Sequence, residues 1–300
     1  MTNSLTIGSR GSHLALWQSN WVKTQLEQRG YVVTIQIIQT TGDKITDVPL
    51  AKIGSKGLFT KEIEEALLDG RVDLAVHSCK DMPTELPDGL VLSAIPVRED
   101  PRDVVVGRTI AELGSGAIVG TGSLRRASQL HSLRPDLKIE NIRGNVDTRL
   151  RKQREGQYDA IILAAAGLHR LGLGEHIAEY LMPEVMMPAV AQGALAIETL
   201  LSGPGFEAAR QLDHMATRLC VTAERATLRA LGGGCQVPLG AHAVLVGAEL
   251  HLAAVCTSPD GLLVIRADAK GTDPEELGAT LGARLLDNGA RLILDQVYAL

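Results

Sequence analysis

The chain has 300 residues, 45% hydrophobic and 22% charged, which supplies enough apolar side chain for two or three folded domains and excludes a disordered polymer. Only 3% of residues are aromatic and the net charge is -5, so neither a stacking platform for single strands nor a phosphate-tracking basic surface is expected, and nucleic acid is excluded as a partner. No apolar run reaches the length of a membrane span, and Met1-Thr2-Asn3-Ser4 passes straight into an apolar run without an h-region, so a cytoplasmic location off the membrane is expected.

Short apolar runs alternate with helical patterns over the first two hundred residues or so, which predicts βα units around largely parallel sheets. Strands are expected at Leu5 to Gly8, Val32 to Gln39, Leu74 to His77, Ala117 to Gly120 and Ala160 to Leu163. Helices are expected at Leu14 to Gln28, Leu58 to Leu68, Leu124 to Ser132 and Val146 to Arg154, the first burying Leu14, Trp17, Val22 and Leu26. The polar segment Pro96 to Asp103 reads as a hinge. A second joint falls at Pro183 to Pro188, and helical patterns resume after Gln192. Three β runs, Val237 to Val246, Leu250 to Cys256 and Leu262 to Asp268, then lead into helices, predicting a small α+β tail.

One kind of site recurs: a strand ending in a Gly, Ser and Thr turn with basic residues beside it. Gly8-Ser9-Arg10-Gly11-Ser12 follows the first strand, with Ser12 placed to cap the next helix, and Gly120-Thr121-Gly122-Ser123-Leu124-Arg125-Arg126 repeats the pattern. Free backbone N–H groups and the helix dipole hold an anion at such a junction, and guanidinium forks match a carboxylate. One such site alone is better explained by a capped helix with solvent-facing arginines; two in one chain favour anion binding. Arg143 and Arg149 stand at the start of another helix, where cations oppose the dipole unless an anion is present. Arg170 is a weaker candidate that also suits a helix C-terminus.

His77-Ser78-Cys79-Lys80-Asp81-Met82-Pro83 sits at a strand end, where open α/β sheets bind ligands, and Asp81 suits a carboxylate that contacts a ligand N–H or moves a proton. The polar stretch from Thr40 to Lys56 is long for a strand-to-helix connection and reads as a lid carrying Lys52 and Lys56. Cys79, Cys220, Cys235 and Cys256 are far apart with no C-x-x-C pair, which argues against disulfides and against a metal site. Cys235 follows Gly232-Gly233-Gly234, which reads equally as an accessible thiol or as a small residue in a tight turn.

Eight segments in order resemble the porphobilinogen deaminase (hydroxymethylbilane synthase) family over nearly the whole chain. They are Ser9 to Ser12 with Leu14 to Gln18, Gly54 to Phe59, His77 to Asp81, Arg98 to Asp103, Gly120 to Arg126, Arg143 to Val146, Pro188 to Ala194 and Gly233 to Pro238. Gly11 and Gly122 depart from the family's usual larger or hydroxyl side chains, so one ligand contact is in doubt.

The resemblance implies an α/β protein of three domains: two periplasmic-binding-protein-like βα lobes, residues 1–96 with 194–212 and residues 99–188, and a small α+β C-terminal domain over 215–300. It implies a monomeric transferase of tetrapyrrole, porphyrin and heme biosynthesis that condenses four porphobilinogen molecules with loss of ammonia to give hydroxymethylbilane. Its dipyrromethane cofactor, self-assembled from substrate, is held through a thioether on Cys235, and no metal is implied. By the same resemblance Asp81 is catalytic; Lys80, Asp81, Thr121, Ser123, Arg125, Arg126, Arg143 and Gln192 bind the cofactor. Arg10, Ser12, Arg149 and Arg170 bind substrate, and Lys52, Lys56 and Phe59 belong to the lid. The rivals are a non-catalytic, two-lobed small-anion binding protein and a cysteine hydrolase using His242 or His251.

Overall fold

The computed structural model describes residues 3–44, 58–233 and 237–298. The chain divides into two compact units, residues 1–99 with 194–218 and residues 100–193 with 219–300.

In the first unit β1 (Ser4–Ser9) lies parallel to β2 (Val32–Ile37) and to β3 (Leu74–Ser78). β10 (Leu195–Leu200) runs antiparallel between β3 and β4 (Leu90–Ala94), giving the order β2-β1-β3-β10-β4. Strand alternation sends Leu5, Ile7, Leu74 and Val76 to one face, where Val22 and Leu26 of α1 (His13–Glu27) complete the core. Each such side chain stabilises the fold by about 1.5–3 kcal/mol on burial. Ser12 caps α1 as expected, its Oγ accepting from the Ala15 N–H at 3.3 Å.

Trp17, expected in the core, is 37% exposed, and the buried face of α1 instead takes Gln18 and Ser19. Both are satisfied internally: Gln18 donates to Ser78 Oγ at 2.9 Å and Ser19 to Ser9 Oγ at 2.7 Å. The other sheet face is covered by Ile63, Ala66 and Leu67 of α3 (Lys61–Leu68). A single turn, α2 (Thr41–Lys44), opens the stretch read as a loop. α7 (Pro204–Arg210) approaches the sheet so closely that a Cβ on Gly205 would fall 2.1 Å from the Asp73 carbonyl oxygen.

The second unit repeats this arrangement in a sheet of order β7-β6-β8-β5-β9. β6 (Ile118–Gly120) is parallel to β7 (Lys138–Glu140) and β8 (Ala160–Ala164), and β5 (Asp103–Gly107) runs antiparallel to β8 and β9 (Ile177–Leu181). Val104, Val106, Ile161 and Leu163 face Leu150 of α5 (Val146–Arg154) and Leu168 of α6 (Ala165–Arg170). Val105, Ala160 and Ile162 face Leu130 of α4 (Leu124–Leu133). The rest of this unit is an antiparallel meander of β11 (Leu239–Val246), β12 (Glu249–Thr257) and β13 (Val264–Gly271), its first turn made at Gly247 with φ +64°. Helices α8 (Met215–Ala230), α9 (Pro274–Leu285) and α10 (Arg291–Tyr298) accompany it.

The architecture is α/β as expected, but the sheets are mixed rather than largely parallel. Residues Leu195 to Leu200, read as helical, form a central strand buried on both faces, where pairing outweighs the helical preference of Leu, Ala and Glu. β5 begins inside the predicted hinge, and β4, β7 and β9 carry too little periodicity to be seen.

Candidate active site

Because β1 and β3 are adjacent and parallel, their C-terminal ends release the Arg10 and Asp81 turns at the same sheet edge. A pocket there is lined by Arg10, Ser12, Gln18, Phe59, His77 and Asp81. β3 passes into one 3-10 turn over Cys79–Asp81, which leaves the Asp81 carboxylate exposed, with no hydrogen bond or ion pair among the described residues. Half-buried Lys80 sits on the same turn.

Arg10 is held from two sides. Its Nε and Nη2 donate to Asp43 Oδ1 at 3.1 and 2.5 Å, and its guanidinium carbon lies 4.2 Å from the centroid of the Phe59 ring. The Thr40 N–H and hydroxyl donate to the other Asp43 oxygen at 3.2 and 2.8 Å. Burial pushes the Asp43 carboxyl up, but Arg10 and Thr40 together hold it below its ordinary value. Gly42 is needed for this fit, since a Cβ there would fall 2.2 Å from the Phe59 ring.

In the second unit Ser123 caps α4, its Oγ accepting from the Arg126 N–H at 3.5 Å, and buried Thr121 accepts from the Ser123 N–H at 3.2 Å. Arg125 and Arg126 are neither solvent-facing nor displayed at the turn; they are 4% and 6% exposed and share one carboxylate. Arg125 Nη1 lies 2.7 Å from Asp103 Oδ2, and Arg126 Nε lies 2.9 Å from Asp103 Oδ1. The Met187 and Ile162 carbonyls accept further bonds from Arg125 and Arg126 at 2.6 and 3.0 Å, and Gln192 Oε1 accepts one from Arg126 Nη2 at 3.4 Å. Against a burial that alone would raise it, the two guanidinium groups hold the Asp103 carboxyl far below the usual carboxylate range.

Gln192 joins the same network, donating to Pro101 O at 2.8 Å and to Asp103 Oδ1 at 2.9 Å. Its neighbour Ala191 has φ +58°, a strained value for a residue with a Cβ, and its N–H donates to Glu224 Oε2 at 2.6 Å. The other Glu224 oxygen accepts from the Ala243 N–H at 2.8 Å, so one buried carboxylate ties the C-terminal meander to the Gln192 segment. Arg170 is buried with its Nη2 2.6 Å from Gly193 O.

Asn145 caps α5, and Asp147 in its first turn offsets part of the basic charge there. Arg149 folds back, Nε to Gly144 O at 2.8 Å, and has no carboxylate partner among the described residues. Burial, and then the neighbouring charges of Arg126 and Arg143, pull its pKa down to about 10. Cys235, Lys52 and Lys56 lie outside the described residues. Asp43, Asp103 and Glu224 were not singled out from sequence; an Asp or Glu inside a loop or helix pattern carries no local sign of a distant arginine or N–H. Among the described residues no helix is long and apolar enough to cross a membrane, and no cluster of three or more His, Cys, Asp or Glu could hold a metal ion.

Residues 5–203 match the family model described as porphobilinogen deaminase, dipyromethane cofactor binding domain, and residues 218–287 match the porphobilinogen deaminase C-terminal domain. Porphobilinogen deaminase from Syntrophobacter fumaroxidans is 53% identical over 98% of this chain and 98% of the relative. The chain belongs to the porphobilinogen deaminase family. The deaminase of Geobacter sulfurreducens is 50% identical over 99% of this chain and 95% of its own. Among solved structures, a periplasmic substrate-binding protein of an ABC transporter from Coxiella burnetii covers 71% of this chain and 94% of its own at 12% identity, with a TM-score of 0.44. The deaminase cofactor-domain match takes in both the Asp81 pocket and the arginine network, and Cys235 falls in the C-terminal match.

Proposed function

We propose that this chain is a porphobilinogen deaminase, a transferase that condenses four porphobilinogen molecules head to tail with loss of ammonia to give hydroxymethylbilane. The observation that carries the reading is a carboxylate, Asp81, without a partner among the described residues, sharing a pocket with a guanidinium, Arg10, that is fixed from two sides. A pyrrole that loses ammonia develops positive charge over its ring and N–H, and its acetate and propionate arms stay anionic. Asp81 answers the cation and moves its proton, while Arg10 Nη1 and Ser12 answer an arm.

The dipyrromethane expected on Cys235 brings two pyrrole rings with four carboxylates. The donor set suits it: among the described residues Arg149 is crowded by Arg126 and Arg143 without a carboxylate of its own, and the buried Nε of Arg125 has no hydrogen-bond partner. Arg125, Arg126, Arg143 and Lys80 would hold these arms, with Thr121, Ser123 and Gln192 fixing the turn and strap beside them. Arg149 and Arg170 complete the basic lining for incoming substrate. When bound, the cofactor supplies the free ring carbon from which the chain is extended. We read the enzyme as a cytoplasmic monomer; the buried thiols Cys79, Cys220 and Cys256 suit a reducing compartment.

Intact mass tests the function. The purified chain should exceed its sequence mass by two linked pyrroles, lose that increment on Cys235→Ser substitution, and show a ladder of equal steps on adding porphobilinogen. A bare mass in a protein that binds small anions without turnover would favour a binding protein instead.

A further inference from the structure

In the β3 and β10 pair Ala75 lies opposite Glu198 and His77 opposite Ala196, so His77 and Glu198 are diagonal neighbours on the face that α3 covers. His77 Nε2 is 3.1 Å from Glu198 Oε2, and Glu64 of α3 lies within reach of both charges; the three are 6%, 0% and 7% exposed. Among the described residues Glu198 Oε1 has no hydrogen-bond partner, and the Glu64 carboxyl meets the Thr60 hydroxyl. A polar atom orphaned this deep is costly, so its retention calls for a reason. His77 and Thr60 also line the pocket that contains Asp81.

We propose that Glu64, His77 and Glu198 are positioning residues for the reaction, a buried proton store that opens through His77 into the Asp81 pocket. The proposal rests on the deaminase reading above. Two carboxylates and an imidazole this deep form one coupled group rather than three independent ones. Burial pushes the Glu64 carboxyl above its ordinary value against the Thr60 hydroxyl, which lowers it; the charges of Glu198 and Glu65 add to the rise and His77 opposes it. Of the strands packed against α3, β3 contributes His77 and β10 contributes Glu198, while β1 and β4 contribute no titratable side chain; α3 itself carries Lys61, Glu62 and Glu65.

Condensation has a proton to place. At the α-carbon of the attacking pyrrole the C–H bond breaks, its electron pair returns to the ring, and the proton passes through the pocket to the trio. The C–N bond of the ionised aminomethyl group breaks with its electron pair on nitrogen as the new C–C bond forms, and the ammonia so released takes one proton from the trio and departs as ammonium, which restores the starting state.

The test uses the full-length holoenzyme with its glutamate carboxyl carbons labelled with carbon-13. In the wild type one buried carboxyl should titrate above the ordinary glutamate value of about 4.3, and Glu64→Gln should remove that signal. Glu64→Gln and His77→Gln should each lower kcat by at least about tenfold with KM little changed, and should displace the pH profile of kcat. Glutamate signals that all titrate in the ordinary range, or a Glu64→Gln enzyme with the wild-type rate and pH profile, overturn the proposal. If a variant fails to fold, the wild-type titration still decides. A wild type without bound pyrroles or turnover would fail the deaminase reading instead, and mass and rate record that separately.

Discussion

Arg126 Nε lies 2.9 Å from Asp103 Oδ1 in a site where the carboxylate has no solvent exposure and its other oxygen is bonded to Arg125. Removing that carboxylate leaves two buried cations without a counter-charge. Asp103→Ala should therefore destabilise the protein by about 3–5 kcal/mol, read from urea unfolding. The folded-state pKa of Asp103 lies below the unfolded one, so its contribution is complete above the unfolded value near 4 and drains away as pH falls toward the folded value. Unfolding midpoints taken below pH about 4 should fall less steeply in the variant than in the wild type.

Asp81→Asn retains shape and loses charge. Mass should show the cofactor still attached while turnover drops by about 10²–10³-fold. Near-normal turnover would take Asp81 out of the chemistry.

Arg149 bears a cost in the ligand-free protein, because burial and two neighbouring guanidinium groups disfavour its charge. Arg149→Gln should leave the ligand-free protein at least as stable by thermal melting, yet raise KM for porphobilinogen by about tenfold or more, the loss of one charge-assisted contact. A fall in stability with unchanged KM would make Arg149 a structural residue only.

Asp43 keeps the Arg10 fork aligned under Phe59. Asp43→Ala should free the guanidinium to swing, raising KM by roughly tenfold, with no change in the bound pyrrole mass. Since Arg10 and Thr40 hold the Asp43 carboxyl below its usual value, the pair stays charged throughout the neutral range. The KM ratio of variant to wild type should thus be flat between pH about 6 and about 9; a ratio that changes sharply there would assign the effect to another group.

Several local features were legible from residue order alone. Ser12 reads as a cap and does cap α1, because a cap depends only on a side-chain oxygen reaching an N–H three residues on; Ser123 and Asn145, not singled out as caps from sequence, cap α4 and α5 in the same way. The β1, β3, β6 and β8 runs were visible for a similar reason, being short apolar stretches bounded by turn residues. β10 was not: an alternative helix is equally consistent with Leu195 to Leu200 until β3 and β4 lie on either side of it.

Asp81 and Arg10 were marked as site residues by their places at strand ends, a property of the linear chain once the strands are known. What the chain order could not hold is which charges meet. Arg125 and Arg126 looked like a displayed anion fork, and the fold turned them inward onto Asp103, a residue more than twenty positions earlier. Asp43 reached Arg10 across thirty-three positions, and Glu198 reached His77 across 121. Local hydrogen-bonding geometry and hydrophobic period are written along the sequence. Long-range electrostatic pairing is decided only when sheets bring distant strands together and burial removes the water that would otherwise have satisfied each charge alone.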